Sequence, residues 1–248
     1  MIAPQTLTTA ECVVCGSTEL AAPLYRGIVR CPACGYVSAD MRLTDEELFA
    51  LYNEQFFTGA EFSDYAADER FFRKNFRLRF RELRKFLDPA RHKHLLEIGS
   101  AYGFFLDEVR AEFESVEGID ITDAGVAHAR EHFNLNVVQA DFLAHDYGAQ
   151  KFDVVCMCEI LEHLDEPEEV VASAFKLLKP GGRFILTCPH DNSIPDHEHV
   201  RVWGHDDLFH LLATYAREVT FVHFPPPYFH VWMMAHVTKP KSGLVVPA

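Results

Sequence analysis

The sequence predicts an α/β fold with a doubly wound, seven-stranded, mostly parallel sheet and a small N-terminal module. Three observations lead to this prediction. From residue 92 onward, short apolar runs alternate with helical patterns of about 10 to 13 residues, as in strands joined by right-handed crossover helices. The first apolar run ends in a glycine-containing turn. Two close pairs of cysteines precede this domain.

Composition limits the class of protein. The 248 residues are 48% hydrophobic, which is typical of a globular chain and too high for a disordered one. Lys and Arg number 23 against 37 Asp and Glu, and the net charge of −14 disfavours nucleic acid and anionic membrane as partners. No apolar stretch is long enough to span a membrane, and no export signal is recognisable. We therefore expect a soluble, cytoplasmic protein.

The N-terminal module, residues 1–43, carries four cysteines in two C-x2-C pairs: Cys12, Cys15, Cys31 and Cys34. The pairs are 15 residues apart, and a glycine follows each of them. Two such turns place four thiolates around one tetrahedral ion, which predicts a structural zinc ribbon without an open catalytic position. The alternative is two pairs of buried cysteines. Zinc would stabilise a segment too small to have its own core.

Residues 44–91 have a helical pattern that we expect to form a linker or lid. Thr44 begins a capping box, and a long amphipathic helix is predicted over residues 65–87. This helix interleaves aromatic residues with Arg and Lys. The pattern favours an apolar stripe that packs on the next domain while the basic residues stay in water, over a nucleic-acid-binding face.

The domain over residues 92–240 follows, with a tail at 241–248. The predicted helices cover residues 104–113, 124–133, 167–178 and 206–212. The predicted strands cover residues 94–98, 115–119, 136–139, 152–157, 183–188, 219–224 and 229–237. Because a proline-rich turn joins the last two strands, we expect them to form an antiparallel pair at one edge of the sheet.

Three of these strands end in residues suited to binding a nucleoside. Glu97, Gly99 and Gly103 form an E-x-G-x-x-x-G turn, which differs from the dinucleotide fingerprint and allows a ligand close to the backbone. Asp120 at the end of the second strand is placed to accept hydrogen bonds from ribose hydroxyls. Asp141 after the third strand can accept one from an adenine amine, with Phe142 covering the ring. Open α/β sheets bind ligands at this edge.

These motifs resemble the class I S-adenosylmethionine-dependent methyltransferases over residues 94–238. Together with the cysteine module, they are similar to a bacterial subgroup associated with polysaccharide or secondary-metabolite pathways. In this chain Ala101 replaces a common motif glycine. The resemblance implies a Rossmann-like methyltransferase fold, S-adenosyl-L-methionine as the methyl donor and structural Zn²⁺. The donor-binding residues that it implies are Glu97, Gly99, Ser100, Ala101, Gly103, Asp120, Ile121, Asp141, Phe142, Cys158, Glu159 and Tyr65.

The acceptor is predicted to be a hydroxyl of a small molecule: a free or nucleotide-linked sugar, or another biosynthetic intermediate. A hydroxyl acceptor needs a base, and histidine titrates near neutral pH. Our first candidate for this base is His199 and our second is His197, both in the loop after the fifth strand. His163 is a third candidate, for cofactor or acceptor contact. The same E-x-x-E-H pattern, Glu159 to His163, is implicated in binding a divalent cation in ubiquinone-pathway O-methyltransferases.

The sequence is also compatible with two other functions. A zinc ribbon joined to a class I domain also occurs in enzymes that methylate ribosomal RNA, although the acidic charge opposes this. A non-catalytic scaffold that binds the donor is a third possibility. The oligomeric state, including a homodimer, is not indicated by the sequence.

Overall fold

A computed structural model of the chain describes residues 17–18, 28–35, 37–39, 65–149, 151–164, 166–189, 202–216, 218–222 and 232–240. Several predicted features lie outside these residues: Cys12, Cys15, the capping box at Thr44, His197 and His199. In the described part of the chain, no helix has both the length and the apolar character needed to cross a membrane.

The described part of the N-terminal module is a short hairpin. Strands β1 (Ile28–Arg30) and β2 (Val37–Ala39) pair antiparallel. The connecting turn carries Cys31, which is buried, and Cys34, which is exposed.

The main sheet has seven strands in the order β5-β4-β3-β6-β7-β9-β8. The first five in this order are parallel, and β9 runs antiparallel to both β7 and β8. The seven-stranded, mostly parallel sheet with an antiparallel edge pair is therefore confirmed. Its strands are β3 (His94–Ile98), β4 (Ser115–Asp120), β5 (Asn136–Gln139), β6 (Phe152–Cys158), β7 (Leu178–Pro189), β8 (Val219–Val222) and β9 (Trp232–Thr238).

Five described α-helices connect and flank these strands. They are α1 (Glu69–Leu83), α2 (Phe104–Val109), α3 (Asp123–Phe133), α4 (Pro167–Leu177) and α5 (His205–Ala213). Short 3₁₀ turns extend α1 at Arg84–Phe86 and α2 at Arg110–Glu112, and a third covers Leu161–His163. Apolar side chains on the two faces of the sheet form two separate core clusters, as expected when helices cover both faces.

Strand β7 begins five residues earlier than predicted. Leu178 pairs with Phe152, and an irregularity in the register then lets Arg183 pair with Val154. The glycine at 181 adopts a positive φ of 80° here, and its N–H donates to the Lys239 carbonyl. The Lys179-Pro180-Gly181-Gly182 stretch is thus part of an irregular strand.

The prediction for helix α1 is correct for its apolar stripe and wrong for one of its basic residues. The helix packs against α2 through a stripe that includes Phe76 and Phe80, as the sequence pattern indicated. However, Arg79 on this stripe is 6% exposed, so the expectation that all basic residues stay in water is wrong. Phe71 in turn is 58% exposed. The burial of Arg79 requires a compensating charge, which the neighbouring domain supplies.

Candidate active site

The turn after β3 brings the backbone close to the end of β4. Gly99 and Gly103 have φ of 72° and 78°, in the left-handed region that favours glycine. Ala101 between them also has a positive φ, 43°. The N–H groups of Gly99 and Ser100 donate to the Ile119 carbonyl at 2.8 and 3.2 Å. This left-handed turn leads directly into α2 at the carboxyl end of the sheet, where open α/β sheets form the crevice that binds ligands.

Asp120, the last residue of β4, is buried at this end of the sheet. One carboxylate oxygen accepts from the Ala101 N–H at 2.6 Å, and the other accepts from the Thr122 N–H at 2.8 Å and the Thr122 hydroxyl at 2.5 Å. Burial raises the pKa of Asp120, although these three hydrogen bonds act in the opposite direction. A carboxylate offers about four lone-pair positions, so the three bonds leave capacity for a further donor.

Glu97 on β3 is the second buried carboxyl of the crevice. It is 2% exposed, and its Oε2 atom has no hydrogen-bond partner among the residues that the structure describes. Burial, and then the nearby charge of Asp120, raises the pKa of Glu97 well above its ordinary range. An unsatisfied buried carboxyl is unfavourable in a folded protein, so it points to a donor or cation that arrives with a ligand.

Tyr65 comes from the segment before α1 and lies near these two carboxyls. Its ring stacks on Phe72 at 4.2 Å and on Phe104 at 5.6 Å, and meets Tyr102 edge-on at 5.1 Å. Burial raises the pKa of Tyr65, and the charges of Glu97 and Asp120 raise it further. The N-terminal segment therefore contributes a side chain to the crevice.

The candidate adenine-binding residues are less buried than Glu97 and Asp120. Asp141 is exposed, and its carboxylate already accepts from the Leu143 N–H at 2.8 Å. The Phe142 ring is half-buried against the main core, with its centroid 5.8 Å from that of Tyr147. Ile121, directly after Asp120, is 41% exposed. An apolar side chain exposed at a strand end offers a surface for a flat ring.

Cys158 and Glu159 follow at the carboxyl end of β6. Burial raises the pKa of the Cys158 thiol to about 12, with a further contribution from Glu97. Glu159 has a positive φ of 56°, and its N–H donates to the Thr187 carbonyl at 2.9 Å. Its carboxylate accepts from the Thr187 hydroxyl at 2.7 Å and from Arg79 at 3.0 Å. The Cys158 and Glu159 positions thus face the crevice from the β6 side.

Glu162 and His163 lie in the turn beyond. Glu162 is 1% exposed, and within the described part of the chain neither of its carboxyl oxygens has a hydrogen-bond partner. Burial, and then the charge of Glu159, raises its pKa well above the ordinary range. His163 Nε2 is 3.8 Å from Glu162 Oε1. Among the described residues, no group of three or more His, Cys, Asp or Glu side chains is arranged to hold a metal ion.

Sequence reasoning missed two residues of this region, Arg79 and Thr187. Both were placed in the correct elements, but helical periodicity treats arginine as a surface residue. Thr187 lies in an apolar run and is fully buried. The signal that could have identified them is a charged or hydroxyl residue at a position where the pattern requires an apolar one.

Comparison with known proteins identifies the family. A family model described as "Methyltransferase domain" matches residues 71–235. The ubiquinone biosynthesis O-methyltransferase of Thiobacillus denitrificans is 34% identical over 111 residues, which are 42% of this chain and 48% of that protein. Its Pseudomonas aeruginosa (strain LESB58) counterpart is 33% identical over 107 residues, 40% of this chain and 46% of that protein. The chain thus spans less than half the length of each of these relatives.

Solved structures agree on the fold. The plantazolicin methyltransferase BpumL, solved in complex with SAH, matches with a TM-score of 0.58 and 12% identity, over 78% of this chain and 95% of its own. An S-adenosylmethionine-dependent methyltransferase from Mesorhizobium loti matches with a TM-score of 0.52 and 14% identity, over 65% and 98%. At these identities the likeness concerns the fold.

The turn after β3 provides the first prediction. A Cβ on Gly99 would overlap the Ile160 side chain, whereas one on Gly148, which also has a positive φ, meets nothing within 4 Å. Left-handed strain costs roughly 1–2 kcal/mol at either position, and the overlap adds about 1–3 kcal/mol at Gly99 only. Urea unfolding should show Gly99→Ala to be clearly less stable than Gly148→Ala. Equal losses would contradict the geometry of the turn.

The raised pKa of Glu97 provides the second prediction. Above the ordinary glutamate value of 4.5, the unfolded chain releases this proton while the native state keeps it. The contribution of Glu97 to stability therefore falls as pH rises, by at most about 1.4 kcal/mol per pH unit. Glu97→Gln removes this contribution, so its stability relative to the wild type should increase between pH 5 and pH 8 in urea unfolding.

Glu114→Gln is the control for this series. Glu114 is exposed, and its hydrogen bond from Lys93 lowers its pKa, so it is ionised across this range. Its stability difference from the wild type should stay constant from pH 5 to pH 8. A constant difference for Glu97→Gln as well would show that Glu97 does not hold a proton in the folded protein.

Proposed function

The chain belongs to the methyltransferase-domain family, and from this premise we propose that it transfers a methyl group from S-adenosylmethionine to a hydroxyl of a small molecule. The observation that carries the proposal is the pair of buried carboxyls, Glu97 and Asp120, at the carboxyl ends of neighbouring parallel strands. Both keep hydrogen-bonding capacity that the described residues do not fill.

The residues present fit the methyl donor. A ligand with an ammonium group would give Glu97 Oε2 the partner that it lacks. A ribose hydroxyl suits the remaining capacity of Asp120. An adenine ring suits the exposed Ile121, and Asp141 and Phe142 remain our candidates for its edge and face. The Gly99–Gly103 turn gives such a ligand close access to the backbone.

Methyl transfer requires the protein to align the donor with the acceptor and to remove a proton from the acceptor. When bound, S-adenosylmethionine supplies a methyl group on a cationic sulfur that a nucleophile attacks in line. The aromatic cluster around Tyr65 would exclude water on one side of the donor, and the β6 side of the crevice would meet the acceptor. A hydroxyl acceptor loses a proton, for which we propose His199, with His197 and His163 as alternatives.

Two lines support a hydroxyl on a small molecule. The curated relatives are named O-methyltransferases, although they match over less than half of their length. The net charge of −14 opposes binding to nucleic acid, so the proposed partner is a small biosynthetic intermediate. A sugar or a secondary metabolite stays within this proposal.

Donor binding is tested by calorimetry with S-adenosylhomocysteine. The wild type should bind it, and Asp120→Asn should weaken binding about 10- to 100-fold, because a charge-assisted hydrogen bond is lost. Asp123→Asn, at an exposed position three residues along the chain, should leave the affinity unchanged. The proposal is wrong if the wild type shows no affinity at millimolar ligand.

The base is tested by methyl transfer from radiolabelled donor to a catechol, a methyl glycoside and a peptide amine. We expect transfer to a hydroxyl compound. His199→Ala should lower kcat about 10²- to 10⁴-fold, as for loss of a general base, with donor affinity retained. If His163→Ala shows this loss and His199→Ala does not, the base is His163. Unchanged turnover in both variants and in His197→Ala would exclude all three.

We propose further that the four N-terminal cysteines bind one structural zinc ion. The Gly35 N–H donates to the Cys31 carbonyl at 2.8 Å, and Gly35 has a φ of 81°, so this half of the module forms a tight turn that carries two thiols. Zinc prefers such paired thiolates. Cys12 and Cys15 would supply the other two ligands.

Elemental analysis of the purified chain tests this second proposal. We expect about one zinc per chain, lost in Cys31→Ser and in Cys34→Ser, because three thiolates bind the ion far less tightly. Cys158→Ser should retain the metal, since Cys158 lies in the main domain. A wild-type protein free of zinc after expression with added zinc would contradict the ribbon assignment.

A further inference from the structure

Helix α1 carries a buried cation that the reaction, as proposed above, does not use. Arg79 is 6% exposed, and its Nη1 atom donates to Glu159 Oε1 at 3.0 Å and to Thr187 Oγ1 at 3.2 Å. Its guanidinium also lies over the Phe76 ring, 5.7 Å from the centroid. The arginine thus spans from the N-terminal helix to the carboxyl ends of β6 and β7.

The two partners of Arg79, Glu159 and Thr187, also contact each other. Besides accepting from Arg79, Glu159 Oε1 accepts from the Thr187 hydroxyl at 2.7 Å, and the Glu159 N–H donates to the Thr187 carbonyl at 2.9 Å. Glu159 holds a left-handed φ of 56°, which a non-glycine residue adopts only when its surroundings enforce it. The hydrogen bonds to Thr187 and Arg79 supply this enforcement.

Other arginines on the same helix have a different environment. Arg77 donates to Glu108 at 2.6 Å with a side chain that is 62% exposed, and Arg81 pairs with Glu82 while 60% exposed. Exposed pairs of this kind contribute little to stability, whereas a buried pair that loses one partner leaves an uncompensated charge. Loss of Arg79 would leave the Glu159 charge beside the buried carboxyl of Glu162.

We propose that Arg79 is a positioning residue that joins the two sides of the active site. Through Glu159 and Thr187 it fixes α1, and Tyr65 just before that helix, against the turn that faces the acceptor. A buried ion pair thus joins the Tyr65 side of the donor site to the acceptor-side turn, in addition to the packing of α1 on α2. The inference rests on the proposed function for its catalytic meaning.

The experiment compares Arg79→Ala with the matched control Arg77→Ala by amide hydrogen exchange and by calorimetry with S-adenosylhomocysteine. In Arg79→Ala, exchange over residues 158–163 and α1 should accelerate at least about tenfold, because the ion pair no longer opposes local opening. The affinity for S-adenosylhomocysteine should fall by about tenfold as Tyr65 loosens. Strands β3 and β4 should keep their protection, and Arg77→Ala should resemble the wild type over residues 158–163.

Chemical rescue separates positioning from general destabilisation. Millimolar methylguanidinium should restore protection and affinity to Arg79→Ala by replacing the missing group, whereas tetramethylammonium, which cannot donate hydrogen bonds, should not. Arg79→Lys should be intermediate, because a point charge replaces the planar fork. If Arg79→Ala fails to fold, Arg79→Lys and Thr187→Val carry the test, and both should accelerate exchange over residues 158–163.

The inference is overturned if Arg79→Ala, or the two replacement variants, match Arg77→Ala over residues 158–163. Equal rescue by both cations would also overturn it. Failure of the wild type to bind S-adenosylhomocysteine would instead count against the proposed function, and the exchange comparison would still decide the role of Arg79.

Discussion

The candidate active site depends on two carboxyl groups, Glu97 and Asp120, that the fold buries at the ends of adjacent parallel strands. Glu97 and Asp120 raise the free energy of the folded chain, because burial disfavours the ionised form of each and the charge of Asp120 adds to this effect at Glu97. Parallel strands β3 and β4 bring these side chains to the same edge of the sheet. The hydrogen bonds from Ala101 and Thr122 satisfy Asp120 in part, whereas none of the described residues donates a hydrogen bond to Glu97 Oε2. Such a site is best stabilised by a ligand that brings hydrogen-bond donors and positive charge.

The neighbouring elements are arranged around these two carboxyls. The left-handed turn at Gly99 and Gly103 directs the Ala101 N–H to Asp120. Tyr65 covers the same carboxyls from the N-terminal side. Arg79 then places a positive charge on the β6 side, where Glu159 and Glu162 would otherwise repel each other. Donor and acceptor would thus meet between a segment that precedes the domain and the edge of its sheet.

Much of this arrangement could be predicted from the sequence, because it depends on local patterns. Strand periodicity placed Glu97, Gly99, Gly103 and Asp120 at or just after the ends of two neighbouring strands, and the mostly parallel sheet of seven strands was expected. Element boundaries were less accurate where pairing decides them. Leu178 joins β7 because it pairs with Phe152, a partner that its own segment does not reveal.

Long-range partners are the part that the sequence could not provide. Arg79 and Glu159 are 80 residues apart in the chain, and the burial of either is favourable only because the other is present. A helical pattern that contains eight basic residues does not indicate that Arg79 is buried. Likewise, the empty hydrogen-bonding capacity of Glu97 is a property of three-dimensional packing, although its place in the glycine turn marked it as a candidate.

The most direct test of the account is the number of protons released when S-adenosylhomocysteine binds, measured by calorimetry at neutral pH in buffers with different ionisation enthalpies. If Glu97 is protonated in the free protein and ionises against the ammonium group of the ligand, binding should release up to about one proton in the wild type and markedly less in Glu97→Gln. Binding without net proton release, or with the same release in both proteins, would contradict the central role assigned to this buried carboxyl.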